Sequence, residues 1–154
     1  MNNLYESNNY ELSFRGILAD DDFKLYTNNS TISVTSDISF DINADFRSSI
    51  NYFAASILGG IAHTIISSCK RANIEVEELE GKIHLLLKNP LTLLIVKGYS
   101  EEPKIEKCKI TYYLYADEDE DLLLKICYSS LKNSFIYNTL KNVINFEIKF
   151  ILID

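Results

Sequence analysis

Three cysteines and two histidines are the side chains of this sequence best suited to nucleophilic, redox or metal chemistry. A reactive thiol is partly exposed, sits in positive surroundings and often caps a helix N-terminus. Cys69 instead closes an apolar series with Ile61 and Ile65, towards the end of a helical pattern, where the dipole disfavours a thiolate. Lys70 and Arg71 follow it directly, and successive helical residues do not share a face. Cys108 alternates with Ile110 and Tyr112, and Cys127 is spaced with Leu123 and Leu131. All three read as buried thiols acting as small hydrophobes. They fall on three different elements, so no pair is expected within disulfide reach, with Cα atoms under about 7 Å apart. His63 and His84 belong to no HxxxH, CxxC or HExxH pattern, so neither a metal site nor a cofactor is expected. The acidic runs "ADDD" and "ADEDED" lack the glycine and glutamate spacing of a calcium loop and read as solvated turns. "LGG" matches no phosphate-binding glycine pattern.

The stretch "NYFAASILGGIAHTIISSCKRA" holds two of these groups. Ile50, Phe53, Ala54, Ile57, Leu58, Ile61, Ile65, Cys69 and Ala72 recur at steps of three and four, which predicts an amphipathic helix of about six turns. Asp45, Ser48 and Ser49 are N-cap candidates and Asn73 is the expected stop. The other side carries Tyr52, Ser56, Gly59, Gly60, His63, Thr64 and Ser67, with no charge. A solvated face would carry Lys and Glu. Ser56, Gly60 and Thr64 are four apart, as are Ala55, Gly59 and His63. Small residues at that spacing let a second backbone approach, so this face is expected to meet a helix or wall a pocket. The plainer alternative is contact with the chain's own core.

Around this helix the pattern is period two. "YELSF", "FKLYT", "TISVT" and "ISFDI" predict a meander of antiparallel strands. "KIHLLLK" and "LTLLIVKG", split at Asn89-Pro90, and "KCKITYYLYA" predict further strands. "DEDED" opens a second helix, "SFIYNTLKN" a short third, and "NFEIKFILI" a last strand. The expected architecture is one α+β domain over 1–154: N-terminal strands in 1–45, a central helix at 48–73, strands in 80–116, two helices in 118–142 and a final strand at 143–153.

A length of 154 residues suits one domain with a core. The net charge of -7 argues against nucleic acid and against anionic membranes as partners. No run of 18 apolar residues offers a span and no secretion signal opens the chain. Three cysteines suit a reducing compartment, so a cytoplasmic location is expected.

Three separated stretches carry a resemblance. "NYFAASILGG" with "KRANIEVEELEG", "LKNPLTLLIVKG", and "SSLKNSFIYNTLKNVINFEIKF" together resemble the OsmC-like family, which includes the organic hydroperoxide resistance proteins. The likeness runs from about residue 47 to the end. It implies an intertwined homodimer, with antiparallel β-sheets wrapped around long central helices that pack across the dimer axis. It also implies thiol-dependent reduction of peroxides: one Cys attacks the peroxide and becomes a sulfenic acid, and a second resolves it as a disulfide, with an Arg and a Glu tuning the first thiol. Matched residue by residue, the first family Cys falls at Gly60, or one residue later at the equally inert Ile61, the second at Ser134, the Glu at Asn51, and the Arg at Arg15. No catalytic residue is therefore assigned. Arg15, Asn51, Gly60, His63 and Ser134 are candidate pocket residues. The leading expectation is a dimeric non-peroxidase that binds a small apolar ligand. The alternatives are an organic hydroperoxide reductase using Cys69 as a displaced thiol, a hydrolase with Ser134 activated by His63, for which no orienting acid or oxyanion hole is evident, and a structural protein with no ligand.

Overall fold

Strands begin at Arg15 in the computed structural model, which describes residues 12–19, 22–27, 29–35 and 47–153. The chain separates into two units, Met1–Asn51 and Tyr52–Asp154. In the first, β1 (Arg15–Ala19), β2 (Asp22–Tyr26) and β3 (Thr31–Val34) form an antiparallel meander. Arg15 pairs with Tyr26 and Phe23 with Val34. The Thr27 hydroxyl tightens the β2–β3 turn by accepting from the Ser30 N–H at 2.9 Å. The described part of "YELSF", residues 12–14, is not strand; β1 starts one residue later. Arg15 therefore opens a strand instead of following one. The "ISFDI" strand expected at 38–42 lies outside the described residues. Arg47 pairs with Asp22 at 3.1 Å, which places one acid of "ADDD" in an ion pair.

The long helix forms as its spacing predicts. Helix α1 runs Ser49–Arg71. The Ser48 hydroxyl accepts from the Asn51 N–H at 3.2 Å, so Ser48 is the N-cap among the three candidates. At the other end Asn73 adopts φ 59. The Ile74 N–H bonds the Cys69 carbonyl at 2.9 Å and the Asn73 N–H bonds the Lys70 carbonyl at 3.0 Å, the paired bonds of a Schellman stop. Among the described residues α1 is the one helix long and apolar enough to cross a bilayer by length and composition, because its polar positions over most of its length are Ser, Thr, Gly and His instead of Lys and Glu. Its stripe of Ile57, Ile61, Ile65 and Cys69 is wholly buried in the core.

The second unit is a three-stranded sheet in the order β4-β5-β6. Strands β4 (Glu78–Lys88) and β5 (Lys104–Tyr115) are antiparallel. Strand β6 (Asn145–Leu152) pairs parallel to β5, a departure from the antiparallel expectation. The reason is the crossover: α2 (Glu120–Ser130) and α3 (Phe135–Leu140) carry the chain back before it pairs again. Alternation along β5 buries Cys108, Ile110, Tyr112 and Leu114 on the core side. Lys107 and Lys109 stand on the other face, where both pair with Glu147 of β6. The expected strand "LTLLIVKG" is instead a 3₁₀ turn over Pro90–Leu94. Asn89 takes a left-handed conformation, Pro90 starts the turn, and the Thr92 hydroxyl donates to the Glu101 carbonyl at 2.8 Å. Proline at a first helical position is preset for a turn, and this apolar run has no alternation to hold it extended.

Candidate functional site

Each residue singled out by sequence can now be placed. Arg15 is exposed on β1 and Asn51 is exposed in the first turn of α1, both in the first unit. Gly60, His63 and Ser134 belong to the second unit.

Gly60 and Ser134 meet the same element. A Cβ at Gly60 would lie 2.6 Å from Ile136 Cδ1, so the glycine gives room to an α3 side chain. Ser134 lies two residues before Ile136 and is 2% exposed. It is the N-cap of α3, its hydroxyl accepting from the Tyr137 N–H at 3.2 Å. The small-residue face of α1 thus meets the chain's own α3 at Gly60. At Gly59 a Cβ would meet nothing within 4 Å. Ala55, Ser56, His63, Ile66 and Ser67 are exposed, while Thr64 turns inward to donate to the Gly60 carbonyl at 2.9 Å. No hydrogen bond joins Ser134 to His63, and the hydrolase arrangement is not assembled.

Tyr112 is a contributor the sequence reading grouped only with core residues. Its ring lies over Gly81 of β4, where a Cβ would come within 2.9 Å of it. Its hydroxyl donates to the Leu58 carbonyl of α1 at 2.6 Å. Burial pushes its pKa up. The sheet therefore grips α1 at the residue just before the glycine pair. A tyrosine on the inward face of a strand, in register with a lone glycine in "ELEGKI", was the available signal.

The three thiols are fully buried. Cys108 on β5 is pushed up to about 11 by desolvation. Burial raises both Cys69 on α1 and Cys127 on α2; Cys127 reaches about 12, helped by the Cys69 charge, while the Cys127 side chain partly offsets the rise at Cys69. The cysteines lie on three separate elements, α1, β5 and α2, as the sequence placed them. Among the described residues no group of three His, Cys, Asp or Glu is arranged to hold a metal ion. His84 is exposed on β4 and borders a shallow recess with Leu86, Lys107 and Lys109.

Comparison with known proteins gives the lineage. The family described as OsmC-like protein matches residues 42–149. No curated protein sequence matches. Among solved structures, the OsmC-like protein from Mycoplasma pneumoniae aligns with TM-score 0.71 at 11% identity, over 94% of this chain and 96% of that one. An organic hydroperoxide resistance protein OsmC from Legionella pneumophila, described as a predicted redox protein, aligns with TM-score 0.68 at 8% identity, over 92% and 97%. The organic hydroperoxide resistance protein OhrB of Bacillus subtilis aligns with TM-score 0.61 at 12% identity, over 94% and 98%. At such identities the structures speak to the fold alone. The family match covers most of the chain and follows the order of elements described above, so this chain belongs to the OsmC-like protein family.

Proposed function

We propose that this protein is an OsmC-like homodimer without two-thiol peroxidase turnover. The observation that carries the reading is the use made of the two positions where the family resemblance places its cysteines. Gly60 is packed against Ile136, and the Ser134 hydroxyl is committed to capping α3. A serine hydroxyl cannot cycle through a sulfenic acid. The thiols that exist are sealed: at pH 7 a group of pKa about 12 is ionised in roughly one molecule in 10⁵, whereas peroxide attack needs thiolate. The dimer would use the α1 face that is open at Gly59, and the same uncharged face offers a small apolar ligand its place.

The displaced-thiol reading is the alternative, Cys127 being the thiol whose titration is linked to that of Cys69. Burial weighs against repeated turnover. The deciding experiment is steady-state consumption of hydrogen peroxide and an organic hydroperoxide with a dithiol reductant. Turnover should be no faster than the reductant alone. A catalytic rate that Cys69→Ser abolishes would overturn the proposal in favour of the enzyme. Solvent extraction of the native protein and mass spectrometry should release an apolar molecule; a clean extract would remove the ligand from the reading.

A further inference from the structure

Alternation gives the β4-β5-β6 sheet a second face, turned away from the core, and along the strands that face changes sign. At one end stand Glu78 and Glu80, in register with Tyr115 and Tyr113. The exposed Asp117 and Glu118 follow as the chain leaves β5. Towards the other end, Lys82 and Lys149 flank Thr111. Beyond them lie Lys109 and Lys107, which share the single carboxylate of Glu147. Lys82 reaches back to Glu80 at 3.2 Å. Four lysines against Glu80 and Glu147 leave this half of the face positive, on a chain whose net charge is -7. The two halves meet at an apolar row, where Tyr113 is in register with the exposed Ile151 and Lys82 Nζ sits 5.0 Å from the Tyr113 ring centroid.

We infer that this outer sheet face is a self-association surface, covered by a second copy of the chain laid antiparallel about the Tyr113–Ile151 row. A two-fold axis there reverses the order of the rows, so each acidic end meets a basic end, and does so twice. Glu78 of one copy stands over the Lys82–Lys149 row of the other, and Asp117 over the row of Lys109. Tyr113 and Ile151 close on their counterparts at the centre. The charge pattern is what selects this occupant: the acidic surface that the lysines need lies on the same face, at a spacing set by the same strand rise of ~3.4 Å per residue. Five rows about 7 Å apart on three strands about 4.8 Å apart offer roughly 500 Å² per copy, the size of a weak, transient contact and not of an obligate dimer. Charge carries such a contact, so it weakens steeply with salt. The α1 face is uncharged and its proposed dimer has no such dependence; this inference does not rest on it, and where both contacts form the assembly is a tetramer.

The test is sedimentation of the full chain from micromolar to millimolar concentration at about 20 mM and about 500 mM salt, between which the Debye length falls from ~20 Å to ~4 Å. At low salt the mass should double as concentration rises, and high salt should weaken that step by at least about 10-fold. Two charge-reversal variants locate the surface. Lys82→Glu with Lys149→Glu, and Glu78→Lys with Asp117→Lys, should each abolish the salt-sensitive step, because each sets like charges against like. Mixed one to one, the two variants should associate again, since each meets its complement in both halves. That rescue also shows both to be folded. Salt-sensitive association that survives in either variant alone, or a mixture that stays apart, would overturn the inference. So would a single step that high salt leaves unchanged, which would instead leave the α1 dimer standing; a salt-sensitive step as the sole association would support this surface and end that dimer.

Discussion

Gly59 and Gly60 are neighbours in one helix, and changing each to alanine brings the same gain in helix propensity, about 1 kcal/mol. They differ in where the new methyl lands. At Gly59 it meets no heavy atom within 4 Å, and at Gly60 it lies 2.6 Å from Ile136 Cδ1. Carbon atoms in good contact sit about 3.5–4.0 Å apart, so the ethyl arm of Ile136 must leave its rotamer or α3 must shift. Ile136 is partly buried and packed on the core, and such overpacking costs about 1–3 kcal/mol. Gly59→Ala should therefore stabilise by about 1 kcal/mol, and Gly60→Ala should fall below it by about 1–3 kcal/mol. Ile136→Val deletes the offending Cδ1 and alone should cost about 0.5–1.5 kcal/mol. Combined with Gly60→Ala it exchanges one methyl for another in the same space, so the double variant should return near wild type, a favourable coupling of at least about 1 kcal/mol. Urea denaturation of the four proteins, followed by circular dichroism, reads all these values. Equal gains at the two glycines, with no coupling to Ile136, would refute the packing of α1 on α3 at this point. These values are those of the single chain; a loss at Gly59→Ala that deepens with protein concentration is what the proposed dimer face predicts.

The buried thiols predict loss of stability in alkali. Their unfolded value is the ordinary 9.0, and the folded values are raised to about 11 for Cys108 and about 12 for Cys127. Folding thus favours the protonated forms: the stabilisation is complete below pH 9 and is lost as pH rises towards 11 and 12. Each unit costs about 1.4 kcal/mol per thiol, so the two together remove on the order of 4 kcal/mol between pH 9 and 10.5. Urea midpoints at those pH values should show this for the wild type and about half of it for Cys127→Ala; an unchanged slope in that variant would defeat the assignment. For the proposed dimer, sedimentation near physiological salt should give twice the chain's 17.6 kDa, and a clean monomer at micromolar concentration would end it.

What the sequence made legible was whatever a single element decides. The three-and-four spacing from Ile50 to Ala72 located α1 to within two residues at each end, since a helix with one apolar stripe has one way to lie on a core. Alternation through Cys108, Ile110, Tyr112 and Leu114 likewise announced the buried face of β5. What it hid depended on a second element. "LTLLIV" reads as strand by composition, but Pro90 and the bonds from Asn89 and Thr92 to the 101–102 backbone wind it into a turn. The direction of β6 is set by the α2–α3 crossover and not by its own residues. Gly60 was legible as a close approach; that the approaching side chain is Ile136 of the same chain was not, because small-residue spacing records room and not who fills it.

The same distinction bears on the chemistry. Nine residues separate Gly60 from Cys69, two and a half turns of helix, so the two point half a turn apart around α1. A thiol at position 60 would face α3, whereas Cys69 continues the stripe of Ile57, Ile61 and Ile65 into the core. The crossover places Cys127 in the core from α2 and Ser134 seven residues later at the start of α3. Presence of cysteine in the right helices is thus a poor guide to activity. Burial on the inner face raises the pKa and denies access, which removes the conditions for fast attack on a peroxide. Helical phase is what separates a thiol sealed in the core from one that would stand at position 60.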